Sequence, residues 1–364
     1  MSRLTKQMKH LEKIRTRKRV PESEYLTQME NRSNAVEFEN LQTCFFTDRG
    51  LVRSVDGVSF SLPMGKTVAV VGESGCGKSV TSLSLMQLLQ RPQGQITGGS
   101  IRLNLGDKAY DIAKTPESVM AKLRGGVVSM IFQEPMTALN PVLTIGQQIG
   151  EAVRLHQKGL NTRQVQDRVL ALLEQVGIRG SREICNAYPH QLSGGMRQRV
   201  VIAMALAGGP RLMVADEPTT ALDVTIQAQI LALLKDLQKQ TGCAVLLITH
   251  DLGVVADMAD EVVVMYAGRV VEQGTVREIF RTPAHPYTRA LMAAKPVVGK
   301  QVDRLHTIGG SLPDPVELPK HCYFRERCSL SAEQCCGDYP THVWLSDTHG
   351  VSCWYHTQEA KDGK

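Results

Sequence analysis

The 364-residue chain has no uninterrupted apolar run near the roughly 18 residues that cross a bilayer. It shows no secretory leader at its start, and no segment repeats at a fixed period. The lack of a membrane-spanning run excludes a channel, and with the lack of a leader it leads to the expectation that the chain stays in the cytosol. A hydrophobic content of 42% and a charged content of 21% are ordinary for a globular protein. The length allows one large α/β domain with an appendage, or two domains. The net charge of +6 is concentrated at one end. Residues 1–20 carry eight Lys and Arg against Glu12 alone, and no aromatic. A basic tail that short, without aromatics to stack on bases, does not argue for nucleic acid. Leu4, Met8, Leu11 and Ile14 keep a helical spacing, which suits a basic amphipathic helix at a membrane surface or a partner. The preferred expectation for residues 1–34 is a disordered basic extension.

What is present begins with Gly72-Glu73-Ser74-Gly75-Cys76-Gly77-Lys78-Ser79, which fits G-x-x-x-x-G-K-[ST]. The apolar run Thr67 to Val71 precedes it and reads as a buried strand; Val80 to Leu89 follows it and reads as a helix. That order is the context the phosphate-loop motif requires. Glycines let backbone N–H groups curl around phosphate oxygens, with the positive end of the helix dipole behind them. Lys78 would neutralise the β- and γ-phosphates, and the Ser79 hydroxyl would hold Mg²⁺. Cys76 reads as a small tolerated residue, and its alkylation is expected to block nucleotide binding by filling phosphate space.

From Ala35 the pattern is β: Val36 to Phe38, Leu41 to Phe46, a turn at Asp48-Arg49-Gly50, then Val58 to Leu62. A Gly-rich link leads to Ile101 to Leu105, and Val127 to Phe132 is a further buried strand, ended by Gln133-Glu134-Pro135. Between about 137 and 200 the chain turns helical, with Val165, Val169, Leu172, Leu173 and Val176 in a 3.6-residue period and Asn161 and Gln164 placed as a capping pair. Short aliphatic runs follow at 212–215, 244–248 and 262–265, alternating with helical stretches. This is the grammar of a parallel sheet covered by helices. From about 281 the chain becomes rich in proline, Pro296 included, which reads as the start of a small accessory region.

Two further stretches carry chemistry. Leu212 to Glu217 is an apolar strand ending in two carboxylates, where Asp216 can hold Mg²⁺ and Glu217 can orient or deprotonate an attacking water. Ser193-Gly194-Gly195, directly before a helical run, offers a second set of N–H groups at a helix N-terminus. The order of these pieces closely resembles the ATP-binding cassette (ABC) family, over about residues 35–275. The resemblance implies a phosphate-loop NTPase fold, with a parallel sheet core and antiparallel and helical subdomains. It implies that Ser193, Gly194 and Gly195 form the signature motif, which completes the ATP site of a partner cassette. Gln133 then stands in the Q-loop, contacting Mg²⁺; Ala221-Leu222-Asp223 in the D-loop; and His250 as the switch histidine. Phe45 matches the aromatic that stacks on adenine, with Phe46 the alternative, and Gly72 through Val80 embrace the phosphates. Glu217 and His250 are the expected catalytic residues.

The last third narrows the resemblance. Thr282 to Leu291, Leu222 to Leu231 and Gly310 to Pro315 resemble the oligopeptide, dipeptide and nickel importer ATPases. The expected division is an extension at 1–34, the ATPase at 35–280 and an importer-type C-terminal region at 281–364. Cysteines 322, 328, 335 or 336, and 353 read C-x₅-C-x₆-C-x₁₆ or ₁₇-C. Spacing alone does not separate Zn²⁺ from an iron–sulfur cluster, although the pairs are wider than the C-x₂-C usual for zinc. The resemblance implies a [4Fe–4S] cluster on Cys322, Cys328, Cys335 and Cys353. It also implies a second ATPase chain, two permeases, an extracytoplasmic binding protein and a peripheral place on the cytoplasmic face of the membrane. The expected function is ATP hydrolysis that energises import of dipeptides or oligopeptides. The alternatives are a nickel importer and, further off, a soluble cassette acting on ribosomes or nucleic acid.

Overall fold

The computed structural model describes residues 3–133, 135–220, 222–294 and 307–361, so that Glu134, Ala221 and Pro296 lie outside the described residues. Five parallel strands lie in the spatial order Glu261–Tyr266, Thr67–Val71, Ala244–Ile248, Leu212–Asp216, Val128–Ile131. The last four are buried along their whole length, as the unbroken aliphatic runs require of a sheet covered on both faces. Alternation along each strand divides the core in two. Ala69 and Val71 face a cluster built with helices Ile145–His156, Thr162–Gln175, Gly194–Leu206 and Val224–Thr241. Val68 and Val70 face the other way, toward Leu85 and a second, antiparallel sheet.

That second sheet runs Leu26–Thr27, Ala109–Asp111, Gly94–Asn104, Asn34–Thr47, Gly50–Pro63. The short strands read from the sequence are parts of two 14-residue strands, joined at Thr47 and Gly50 and bent by irregular pairing near Phe38 and Leu41. Helices at Ile145–His156 and Thr162–Gln175 each open with a capping box, on Thr144 and Asn161.

Two expectations change. The basic N-terminal segment is a helix, Arg3–Arg15, held against the protein and not a disordered tail. Its one acid explains why: Glu12 accepts from Arg91 at 2.8 Å and from Gln95 at 2.8 Å, while Arg15 donates to the Gln87 carbonyl. The C-terminal region is likewise not a separate appendage. Gly350–Val351 pairs with Glu272 and Gln273, and Val343–Trp344 pairs beyond it, so the end of the chain widens the central sheet to eight strands.

Glu272 is the knot of that seam. It is fully buried, accepts from the Ala284 and His285 N–H groups at 2.7 and 2.9 Å, and lies 2.8 Å from His349 Nε2. Burial pushes its carboxyl up, but those hydrogen bonds outweigh it and keep it below the usual range. Glu272→Ala should destabilise the protein by about 3–5 kcal/mol in denaturant titration, the cost of breaking a buried pair. A loss under about 1 kcal/mol would contradict the knot, since it would match only an exposed pair.

Candidate functional site

All the parallel strands point their carboxyl ends the same way, and the loops there gather the chemistry. The phosphate loop leaves Thr67–Val71 and enters helix Lys78–Leu85 through Gly77. It is squeezed on two sides. A side chain at Gly72 would put its Cβ 2.2 Å from the Met265 carbonyl oxygen, and one at Gly77 would lie 2.4 Å from that of Ser54. Both glycines also hold positive φ, at 153° and 102°, so no other residue fits there. Lys78 is nearly buried and donates to the carbonyls of Gly72 and Glu73 at 2.8 and 2.9 Å. Ser74, Gly75 and Ser79 remain exposed, and Val80 packs toward the core.

Ser79 Oγ donates to Asp216 Oδ1 at 3.1 Å. Burial pushes the Asp216 carboxyl above its usual range, which the Ser79 hydrogen bond only partly offsets. A buried carboxylate beside a hydroxyl is a hard-oxygen pair, and a cation seated there would reverse that shift, so the donor set fits Mg²⁺. Glu217 follows in a left-handed conformation, φ 46°. Its Oε2 accepts from Gln133 Nε2 and from Thr220 Oγ1, each at 2.9 Å, and its Oε1 lies 3.1 Å from His250 Nδ1. Burial raises the Glu217 carboxyl, but His250 and Thr220, helped by Lys78, hold it below the usual range. Three neighbouring strand ends thus bring Gln133, Asp216, Glu217 and His250 to one place. With Lys78 beside it as the positive charge, such an arrangement can receive phosphates and aim a charged acceptor at a water.

The other expected residues fall elsewhere. Ser193 caps helix Gly194–Leu206, accepting from the Met196 N–H at 3.3 Å. A Cβ on Gly195 would meet Ile226 at 2.7 Å, and Asp223 caps the helix that begins beside it. Ser193–Gly195 and Asp223 are therefore neighbours. Among the described residues, no hydrogen bond joins Ser193, Gly194 or Gly195 to Gly72 through Ser79. Phe45 is half-buried with its ring edge against Gly94, and Phe46 is buried.

Reading the sequence did not find Thr220, nor Tyr287 and Arg327, which reach the phosphate loop from the end of the chain. Tyr287 lies in the recognised stretch Thr282 to Leu291, but nothing local marks its contact with the loop, and no local motif marks Thr220 or Arg327. Farther along, Cys322, Cys328, Cys335 and Cys353 line one small pocket with Phe324 and Trp354, whereas Cys336 is exposed and does not line it. Burial above all, with the three other thiols adding, pushes Cys322 up to about 11. Among the described residues, no three His, Cys, Asp or Glu side chains come close enough to hold a metal ion.

Residues 55–220 match the model of the ABC transporter family, and residues 271–335 match that of the oligopeptide/dipeptide transporter C-terminal region. The chain is 48% identical over 330 residues to the oligopeptide transport ATP-binding protein AppD of Bacillus subtilis, covering 91% of this chain and 99% of that one. It is 49% identical over 323 residues to the dipeptide transport ATP-binding protein DppD of the same organism, covering 89% and 95%. Among solved structures, the ATP-binding cassette MJ0796 in a post-hydrolysis state with ADP and Pi is similar at a TM-score of 0.58 and 26% identity, over 66% of this chain and 99% of that one. The chain belongs to the ABC transporter family, as an ATPase coupled to transport. No helix among the described residues is long and apolar enough to cross a membrane.

One expectation about the loop changes here. Cys76 is fully buried, and burial pushes its thiol above the usual range, so a reagent cannot reach phosphate space through it. Alkylation of the native protein followed by peptide mapping should modify Cys336 and leave Cys76 and ATPase activity intact. Comparable labelling of both would contradict the buried placement.

Proposed function

We propose that this chain hydrolyses ATP at a site completed by a second ATPase chain, and so energises import of dipeptides or oligopeptides. The observation that carries the reading is the convergence of Gln133, Thr220 and His250 on the Glu217 carboxylate, beside the Ser79–Asp216 pair, with the Ser193–Gly195 stretch outside that cluster. Lys78 neutralises the β- and γ-phosphates, which the N–H groups of Gly72 through Val80 surround, with adenine on Phe45. Ser79, Asp216 and Gln133 would hold Mg²⁺, which supplies charge neutralisation to the transferred phosphoryl group. Glu217, kept as a charged acceptor, takes a proton from the attacking water or orients it, and His250 holds water and γ-phosphate in line.

Ser193, Gly194 and Gly195 present a helix N-terminus to the nucleotide of the partner chain, and Asp223 lies beside them at the same interface. Two cassettes meet head to tail, and their closing and opening drives two permeases at the cytoplasmic face of the membrane. An extracytoplasmic binding protein selects the substrate. The peptide assignment rests on relatives named for oligopeptide and dipeptide transport that match about nine-tenths of the chain, and on the C-terminal region match.

We further infer that Cys322, Cys328, Cys335 and Cys353 hold a [4Fe–4S] cluster. Support comes from their shared pocket.

Glu217→Gln should bind ATP yet lose about 10²–10⁴-fold in turnover and abolish uptake, as removal of a general base does. Normal turnover would overturn the assignment. Uptake in a deletion strain should be lost for dipeptides or oligopeptides and retained for Ni²⁺; the reverse would replace the substrate class. Anaerobically purified protein should carry iron and a visible absorption band, and colourless, iron-free protein would sink the cluster.

A further inference from the structure

Glu73 stands inside the phosphate loop, yet its partners come from the end of the chain. Its carboxylate receives both prongs of Arg327, with Nη1 at 2.9 Å from Oε2 and Nη2 at 3.0 Å from Oε1. Its backbone N–H donates to the Tyr287 hydroxyl at 2.9 Å. The Arg327 side chain is only 5% exposed. Its other donors reach the carbonyls of Gly309 and Ile308, at 2.8 and 3.2 Å, and the Tyr266 hydroxyl at 3.3 Å. Tyr266 and Tyr287 pack on each other at 4.7 Å between ring centroids, and Phe324 meets both edge-on. A guanidinium this buried is costly without partners, and here its planar fork matches the carboxylate.

What the clamp grips decides its meaning. Anion binding by such a loop depends on the direction of successive N–H groups. Glu73 is held by its side chain and its N–H, while its carbonyl accepts from Lys78. Its peptide is thereby fixed on three sides, just before the exposed Ser74 and Gly75.

We propose that Arg327 is a positioning residue of the ATP site: acting through Glu73, it holds the phosphate loop in the form that receives the triphosphate, so that ATP affinity depends on the seating of the C-terminal region. This rests on the ATP-site reading. The competing role is a staple that keeps the C-terminal region on the core and leaves the nucleotide untouched.

Steady-state ATP hydrolysis by the full-length chain in its assembled complex separates the two. Arg327→Gln and Glu73→Gln should each raise the KM for ATP about tenfold, as loss of a charged hydrogen-bonded pair allows. kcat should stay within about twofold, because a preformed loop aids ground state and transition state alike. The double variant should rise no further than either single one, and Arg327→Lys, which keeps one prong, should recover part of the loss. An unchanged KM in folded Arg327→Gln, or additive effects in the double variant, overturns the proposal. Should Arg327→Gln fail to fold, Glu73→Gln decides alone, and an unchanged KM there overturns it. Lys78→Ala tests the ATP site itself: activity retained in that variant strikes the site reading, whereas activity lost there with KM unchanged in Arg327→Gln strikes this proposal only.

Discussion

The constraint on which the structure depends is the squeeze on the phosphate loop. Carbonyl oxygens of Met265 and Ser54 leave space for hydrogen alone at Gly72 and Gly77. Met265 lies near the end of the strand beside Thr67–Val71, and Ser54 belongs to the antiparallel sheet. The loop can therefore keep its shape only while both sheets keep their relative position. That requirement accounts for the division of the core, in which alternate residues of one strand serve two different packing partners.

From that fixed loop the rest of the site is set by strand order. Ala244–Ile248 lies in register beside Thr67–Val71 and Leu212–Asp216 in register beside Ala244–Ile248, so their carboxyl ends deliver Asp216, Glu217 and His250 at one level. Glu217 is the point of contact between these groups, and it sits in a backbone conformation that a glutamate rarely adopts. Such strain is kept where the surroundings determine it: the Glu217 N–H is held by the Ile248 carbonyl at 2.8 Å, and its carboxylate by Gln133, Thr220 and His250.

Much of this was legible from residues alone. The phosphate loop, the two-carboxylate strand and the Ser-Gly-Gly stretch are local patterns whose chemistry depends on spacing along the chain. The aliphatic runs revealed the parallel sheet because strands buried on both faces need no alternation. What escaped was long-range. Nothing near Arg327 says that it meets Glu73, 254 residues away. Nothing in the basic segment says that its single acid, Glu12, will find Arg91 and turn an expected tail into a docked helix. The proline-rich stretch after 281 marks a change of composition, yet two-residue strands at 343–344 and 350–351 are too short to carry a period, so their place in the central sheet was hidden.

In the proposed ATPase this chain carries half of each of two composite sites, its phosphate loop serving one nucleotide and its Ser193–Gly195 stretch another. Photolabelling with an ATP analogue carrying an azide on its γ-phosphate tests it most directly, in complex with an unaltered partner ATPase chain. With Lys78→Ala in this chain, label on its own phosphate loop should vanish while label on its Ser193–Gly195 stretch persists, delivered by nucleotide held in the partner. Loss of both labels together would show that one chain's loop and Ser193–Gly195 stretch serve the same nucleotide, and would rule out the composite sites.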